Sequence, residues 1–395
     1  MEHLAKLALE KLKESSNLRS LYGIKHDGLF VYKNGKKLLN LASNDYLNLS
    51  SNQEFKQEFL DSEIYKKNLY FSASSSRSLS GNFEIFEIFE EFLERIYHKK
   101  ALLFNSGYHA NIGTISSLAS LGNLLFLADK SIHASHIDGL KSFKKVAFKR
   151  FLHNDIEKLK ELLEDNYQKY EGIVILSEGL FSMEGDFAPL KEMVFLKKQY
   201  QNVYIYLDEA HSIGSFGKNG YGVAYGEGNL ELLKEVDFLV LTFGKALGSV
   251  GACVLSNQSF KEYFLNFARS FIYSTAIPPL CVAMSYFGFL KLIDLECKRE
   301  QLAQNSFLLK KELLEIFPKK ILGSYNILSI VLGGNARAIA YQKLLEEEGY
   351  FIPAIKSPTV PKGRESLRLS LTADIPKEDL VNFAKVLRKL NNENL

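Results

Sequence analysis

Cysteine is scarce in this chain: three residues in 395, Cys253, Cys281 and Cys297, form no CxxC pair and lie near no histidine at metal-ligand spacing. That usage argues against a disulfide framework or a structural zinc and implies a reducing, cytoplasmic setting. Long apolar runs are lacking too, so no membrane span is expected. The start, MEHLAKLALEKLKESSNL, mixes acids and bases along an amphipathic helical pattern, whereas a secretory signal needs a continuous apolar core. It reads as part of the fold. Charge of one sign is missing as well: 49 Lys and Arg against 46 Asp and Glu leave +3, too weak a field to suggest nucleic acid. One basic run, KSFKKVAFKR from Lys141 to Arg150, reads either as a solvated face or as a track for the nucleotide phosphate of a thioester substrate. There is no internal repeat, low-complexity tract or long Pro/Gly/Ser linker, so the domains are expected to be packed rather than tethered.

What is present is an α/β pattern. A chain of 395 residues allows a large domain with one or two smaller ones. From about Lys99 to Ser256, short β-rich runs alternate with helical stretches: ALLFN, NLLFLAD, KVAFKRF, GIVILSEG, VYIYLDEA, DFLVLTFG and GACVLS. This order predicts a mostly parallel sheet flanked by helices. Ahead of it, Phe83, Phe86, Phe89, Leu93, Ile96 and Tyr97 recur at helical spacing after an Asn82 cap, a helix that should pack on the sheet. Beyond about Ile293 the pattern becomes a long helix, strand ILSIVL, helix ARAIAYQKLLEEEGY, strands FIPAI and SLRLSL, and a final helix. The expected division is an N-terminal segment 1–50, a large domain 51–292 and a smaller C-terminal α/β domain 293–395.

Ligands of open α/β sheets bind at the carboxyl ends of strands, so polar residues that end apolar strands are the first candidates. Asp208 ends VYIYLD with His211 three residues on; Thr242 and Lys245 follow DFLVL; Glu178 and Ser182 follow GIVILS. A lysine just past a buried strand is costly to desolvate unless it has a task. A Schiff base with an aldehyde cofactor is such a task, and it requires an acidic partner on the cofactor's ring nitrogen, for which Asp208 is placed. His211 could bond the ring hydroxyl. Gly107 and Tyr108 fall at a strand-to-helix turn, where backbone N–H groups and the helix dipole favour a phosphate. GxGxxG is absent there, which disfavours a dinucleotide and leaves a single phosphate, with Thr242 as a further donor. Taken singly, Asp208 could be a helix cap, His211 structural and Lys245 a surface charge; their joint occurrence favours the chemical reading.

With these residues in hand, the sequence resembles the α-oxoamine synthases, a branch of the fold type I pyridoxal 5′-phosphate (PLP) enzymes. The likeness runs over nearly the whole chain through SNDYL (Ser43 to Leu47), SGYHAN, HASHIDG, HND, EGLFSMEGD, LDEAHSIGSFG, TFGKALG, FARSFIYSTAIPP and PTVPKGRESLRLSLTA. The resemblance implies that Lys245 binds PLP covalently, Asp208 pairs with the pyridine nitrogen, His133 stacks on the ring, and His211 and Ser182 contact its substituents. It further implies that Gly107, Tyr108 and Thr242 hold the phosphate, with Ser274 and Thr275 reaching in from the second subunit of a homodimer that shares its active sites. Arg368 would bind the substrate carboxylate, Asn44 would line the substrate site, and Arg19 and Thr359 would line the acyl or product side. The implied reaction is the decarboxylative condensation of L-alanine with a pimeloyl thioester, carried by coenzyme A or by an acyl carrier protein, in biotin formation. Glycine with acetyl-CoA is the nearest rival, and a non-catalytic protein that kept the fold is a remote one. Read from the residues alone, His133 is better taken as a helix cap. Arg368 could equally be a solvent-facing residue of an alternating strand, and Arg19 a cation at a helix C-terminus. The family's GSGGSR turn is replaced by SASSSR, with Ser72, Ser74 and Ser75 in place of glycines, and Asn48 also stands for a usual glycine. Serine tolerates positive φ poorly, so strain or a different backbone is expected there, whereas Asn is the best substitute in a left-handed turn.

Overall fold

The structure, a computed structural model, describes residues 1–143, 145–228 and 230–392. Chain contacts separate two compact units, one of residues 52–182 and 187–299, the other of residues 1–51, 183–186 and 300–395.

The larger unit is built on a seven-stranded sheet. In spatial order its strands are Lys100–Phe104, Ala252–Ser256, Phe238–Thr242, Val203–Asp208, Gly172–Glu178, Leu124–Asp129 and Ala147–Phe151. These are the seven apolar runs of the sequence. Ala252–Ser256 pairs antiparallel with both neighbours, and the ladders from Phe238–Thr242 to Ala147–Phe151 are parallel. Strands covered on both faces need no polar alternation; accordingly every residue of Gly172–Glu178 is buried. The run Ala147–Phe151 lies at the sheet's edge, with Phe148, Lys149 and Arg150 exposed. Lys144 of the basic run lies outside the described residues.

The helix expected ahead of the sheet spans Glu84–Tyr97 and buries Ile85, Phe86, Phe89, Leu93 and Tyr97. Each buried phenylalanine contributes roughly 1.5–3 kcal/mol. Its cap differs from expectation. The N-cap is Phe83, extended at φ −75° and ψ 154° and without a side-chain cap bond. Asn82 is engaged elsewhere: its Oδ1 accepts from Arg77 Nε at 2.8 Å and its Nδ2 donates to Glu87 Oε1 at 2.9 Å. In the serine-rich turn only Ser74 of the three substituted serines takes a left-handed backbone, at φ +56°, and Ser72 Oγ accepts from the Ser74 N–H at 2.9 Å. That local bond offsets part of the roughly 1–2 kcal/mol that a side chain costs there.

The second unit joins the two ends of the chain. One four-stranded sheet combines Lys25–Asp27, Phe30–Lys33 and Lys36–Asn40 with Tyr350–Phe351, whose Tyr350 and Phe351 pair with Leu39 and Asn40. The other combines Ile321–Leu322, Ile327–Val331, Ser366–Ser370 and Ala354–Ile355. The run FIPAI is therefore two short strands in different sheets, divided around Pro353, which has no N–H to continue a ladder. Residues 183–186 belong here because Ser329 Oγ donates to the Met183 carbonyl at 2.8 Å and a Cβ on Gly185 would lie 2.3 Å from the Ile327 carbonyl. Asn48 takes φ +55°, as its type allows, and its amide donates to Asp374 Oδ2 at 2.9 Å. The first helix, Glu2–Glu14, buries no residue and ends at Ser15. Arg19 lies beyond that end in exposed coil, so the helix-dipole account of it fails.

Candidate active site

Parallel pairing brings the chemical residues of the larger unit to one level. Glu178 and Asp208 are partners across adjacent strands, and the strand beside Asp208 ends at Thr242, three residues before Lys245. Both carboxylates are buried, as are Ser182, His211 and Thr242, while Lys245 is half-buried. Glu178 accepts from the backbone N–H of His133 at 2.5 Å and of Ser182 at 3.2 Å. Burial, and then the charge of Asp208, push its carboxyl well above the ordinary range, while Lys245 acts in the opposite direction. Glu178, noted in the sequence only as a strand end, thus ties together the segments that carry His133 and Ser182.

Asp208 is held by a set of side chains that sequence reasoning had not singled out. Its Oδ1 accepts from the Ala210 N–H at 2.9 Å and its Oδ2 from Asn111 Nδ2 at 2.8 Å. The same Asn111 nitrogen lies 2.9 Å from Ser135 Oγ, and Asn111 Oδ1 accepts from the Tyr206 hydroxyl at 2.8 Å. His136, fully buried, sets Nε2 3.7 Å from Asp208 Oδ2; burial pushes its imidazole's pKa down, against the pull of Asp208. Asn111, Ser135 and His136 sit inside SGYHAN and HASHIDG. The only signal in the sequence was their membership of those motifs.

His133 takes the capping role that its sequence left open. It is the N-cap of the helix Ala134–Lys141, accepting from the Ser135 N–H at Nδ1, 3.3 Å away, with Ser135 Oγ at 2.8 Å. The residue remains exposed overall. Loss of water on the packed side lowers its pKa, with Asp208 opposing and Lys245 adding to the effect.

The proposed phosphate turn is the start of the helix Gly107–Ala119, capped by Ser106, whose Oγ accepts from the His109 N–H at 3.2 Å. A Cβ on Gly107 would lie 2.6 Å from Thr242 Cγ2, so glycine is what lets the turn approach that strand end. Tyr108 is exposed and donates its hydroxyl to Asp138 Oδ2 at 2.7 Å. Within the chain, Asn105 donates to Ser274 Oγ at 3.0 Å and to the Thr275 carbonyl at 2.7 Å. An amine, a buried carboxylate, an imidazole and a capped helix start opened by glycine make a donor set that fits a phosphorylated pyridine aldehyde.

In the smaller unit, the strand Ser366–Ser370 is buried throughout, so Arg368 does not project to solvent. Its Nη1 donates to Ser370 Oγ at 2.6 Å, and Nη1 and Nη2 lie 3.4 and 3.3 Å from Asn44 Oδ1, which also accepts from Tyr46 at 3.1 Å. Burial pushes the Tyr46 phenol up to about 12, although Arg368 acts against it. Asn44 and Arg368 are thus brought together, whereas Arg19 and Thr359 are exposed coil and turn residues.

The sequence model of the family described as aminotransferase class I and II matches residues 36–387. A Neisseria meningitidis protein named putative 8-amino-7-oxononanoate synthase is 44% identical over 387 residues, 97% of this chain and 99% of that one. Among solved structures, a serine palmitoyltransferase from S. paucimobilis with bound PLP–myriocin superposes with a TM-score of 0.87 at 28% identity, covering 98% of this chain and 97% of that one. The 8-amino-7-oxononanoate synthase from Francisella tularensis superposes with a TM-score of 0.74 at 27% identity, covering 91% and 99%.

Proposed function

Since this chain belongs to the aminotransferase class I and II family, we propose that it joins L-alanine to a pimeloyl thioester, releasing carbon dioxide and free thiol and forming 8-amino-7-oxononanoate. Its fold is that of the fold type I PLP-dependent transferases, and its cofactor is pyridoxal 5′-phosphate. When bound, that cofactor supplies an electron sink for bonds broken at the amino acid's α-carbon. The observation that carries the reading is the meeting of Asp208, Glu178 and Lys245 at adjacent strand ends. The name of the Neisseria relative supports the choice of substrates.

In this reading the amine of Lys245 anchors the cofactor and, once freed by the incoming amino acid, takes the proton from the α-carbon. Asp208, kept dry and held by two N–H donors, retains a proton on the pyridine nitrogen. His133 would pack against the ring, and His211 and Ser182 would contact its substituents. Gly107, Tyr108 and Thr242 would hold the phosphate, with Ser274 and Thr275 supplied by a second copy of the chain. Arg368 offers two parallel N–H groups to the amino acid's carboxylate, and Asn44, Arg19 and Thr359 line the substrate path. The α-carbon would bond to the thioester carbonyl carbon as the C–S bond breaks, the thiolate taking its proton from solvent, and the carboxylate would leave as carbon dioxide. Lys245 would then return the proton it took to the same carbon.

The serine palmitoyltransferase likeness supports a second reading, in which serine and a long acyl thioester replace alanine and the pimeloyl group. Purified protein supplied with alanine, glycine or serine, crossed with pimeloyl, acetyl and palmitoyl thioesters, separates these while thiol and carbon dioxide are followed. Alanine with the pimeloyl thioester is expected to give the highest kcat/KM, and one extra methyl in an apolar pocket is worth about 1–3 kcal/mol of discrimination. A preference for serine with the palmitoyl thioester, or for glycine with acetyl-CoA, overturns the substrate assignment and leaves the cofactor in place.

A further inference from the structure

Proton counting around Asn111 gives this buried network a direction. The Tyr206 hydroxyl has one hydrogen, and it lies 2.8 Å from Asn111 Oδ1, which has none. The Asp208 carboxylate can only accept, so the amide nitrogen faces it, the amide oxygen faces Tyr206, and the Tyr206 hydroxyl must donate. The amide nitrogen then faces Asp208 Oδ2 at 2.8 Å and Ser135 Oγ at 2.9 Å, spending one hydrogen on each. Ser135 Oγ, accepting from Asn111, is left with its own hydrogen for His133 Nδ1 at 2.8 Å. The Ser135 backbone N–H also points at Nδ1, from 3.3 Å, and can only donate. Thr114 stands behind this line: with the Tyr206 hydrogen given to Asn111, the single Thr114 hydroxyl hydrogen is shared between the Tyr206 oxygen at 2.8 Å and the Ala110 carbonyl at 2.7 Å. Asn111, Ser135 and Tyr206 are all buried. An orphaned polar atom among them would bear its full desolvation cost.

We infer that Asn111, oriented by Tyr206, is a positioning residue that sets two cofactor-facing groups at once. One amide hydrogen anchors the Asp208 carboxylate. The other directs Ser135 to hold His133 as the tautomer that accepts at Nδ1 and carries its proton on Nε2. The inference deepens the proposed function and rests on it for the roles of Asp208 and His133. The arrangement of the network itself does not. Tyr206 lies two residues before Asp208 on the same strand, hence on the same face of the sheet, so one strand supplies both the carboxylate and the hydroxyl that orients its amide partner.

The test uses the full chain loaded with PLP and labelled with 15N-histidine, the His133 signals being assigned by their loss in His133→Gln. In the unsubstituted protein, Nδ1 should resonate as an acceptor nitrogen and Nε2 as a protonated one. In Tyr206→Phe the His133 Nδ1 resonance should move, and kcat should fall about tenfold with the amino-acid KM unchanged, the split expected when a group acts only at the chemical step. Asn111→Leu should shift the same resonance further. Ser117→Ala removes a buried hydroxyl from the same helix, one bonded to the Gly113 carbonyl and not to the line of donors, and should leave the His133 signals as they were. A proton on Nδ1 in the unsubstituted protein overturns the inference, as does an unmoved resonance in Tyr206→Phe. So does an equal shift in Ser117→Ala, which would make the effect one of packing. If Asn111→Leu does not fold, the Tyr206→Phe and Ser117→Ala pair still decides. Failure of the PLP reading would show separately, as cofactor not attached to Lys245 while the His133 tautomer stays as stated.

Discussion

Glu178 shows how one buried group can cost stability for the sake of position. Its carboxyl is pushed well above the ordinary 4.5, first by burial and then by Asp208 beside it. Below that ordinary value the group is protonated in both folded and unfolded chains and contributes no pH slope. As pH rises above it, the unfolded chain releases the proton first, the folded chain holds more protons, and stability falls. Glu178→Gln removes this slope, which is at most about 1.4 kcal/mol per pH unit. It also turns an amide N–H₂ toward one of the two backbone donors, from His133 or Ser182, a roughly constant cost of about 1–3 kcal/mol. The variant is therefore expected to be clearly less stable than the unsubstituted chain near pH 5, with the gap closing toward pH 8. Urea unfolding at both values measures this, and a gap independent of pH would mean that Glu178 is ionised in the fold. Little of this was legible in the sequence. GIVILSEG marks Glu178 as a strand end, but the register that sets it against Asp208 is a property of the ladder. Lys245, Asp208 and Thr242 were legible because polar residues closing apolar runs stand out; Asn111 and Tyr206 were not, since a buried polar side chain within an element looks like any other residue until its partner is known.

At the scale of elements, the turn from Lys100–Phe104 into the helix Gly107–Ala119 depends on a missing Cβ. In Gly107→Ala the added carbon would lie 2.6 Å from Thr242 Cγ2, closer than real contacts allow, so the turn or the strand end must shift. Because a helix start binds a phosphate through fixed N–H positions, a displacement of tenths of an ångström should weaken PLP binding while the fold persists. Thr242→Ser removes Cγ2 and keeps the hydroxyl. The double variant is thus expected to recover most of the PLP affinity lost in Gly107→Ala, as read by absorbance titration of the chain with PLP. No recovery would place the defect elsewhere in the turn. The seven strands and their mostly parallel pairing were legible here because apolar runs alternate with helices, as strands covered on both faces require, whereas their spatial order was not. Element ends were less so: Asn82 looked like a cap but spends its side chain on Arg77 and Glu87, and FIPAI looked like one strand until Pro353 divided it.

At the scale of the whole molecule, the sequence order concealed that the chain's two ends build one unit, because pairing between Lys36–Asn40 and Tyr350–Phe351 spans about 310 residues and leaves no local pattern. A second long-range question concerns copies of the chain. Ser274 and Thr275 are proposed to complete the phosphate site of a partner, although in one chain Asn105 bonds to the Ser274 hydroxyl and the Thr275 carbonyl. Mixing two defective proteins separates the alternatives. One carries Lys245→Ala, which removes the covalent anchor; the other carries Ser274→Ala with Thr275→Ala, which weakens phosphate binding and leaves Lys245 intact. If the hydroxyls cross to the partner, a hybrid dimer holds one site with Lys245 from one chain and both hydroxyls from the other. Equal mixing with random exchange makes about half the dimers hybrid, so roughly a quarter of the full activity should return at limiting PLP. If each chain serves its own site, no hybrid contains an intact one, and activity after mixing stays at the average of the two defective proteins. Reassortment is checked by mass spectrometry of differently tagged chains before the assay, so that a null result cannot come from dimers that failed to exchange.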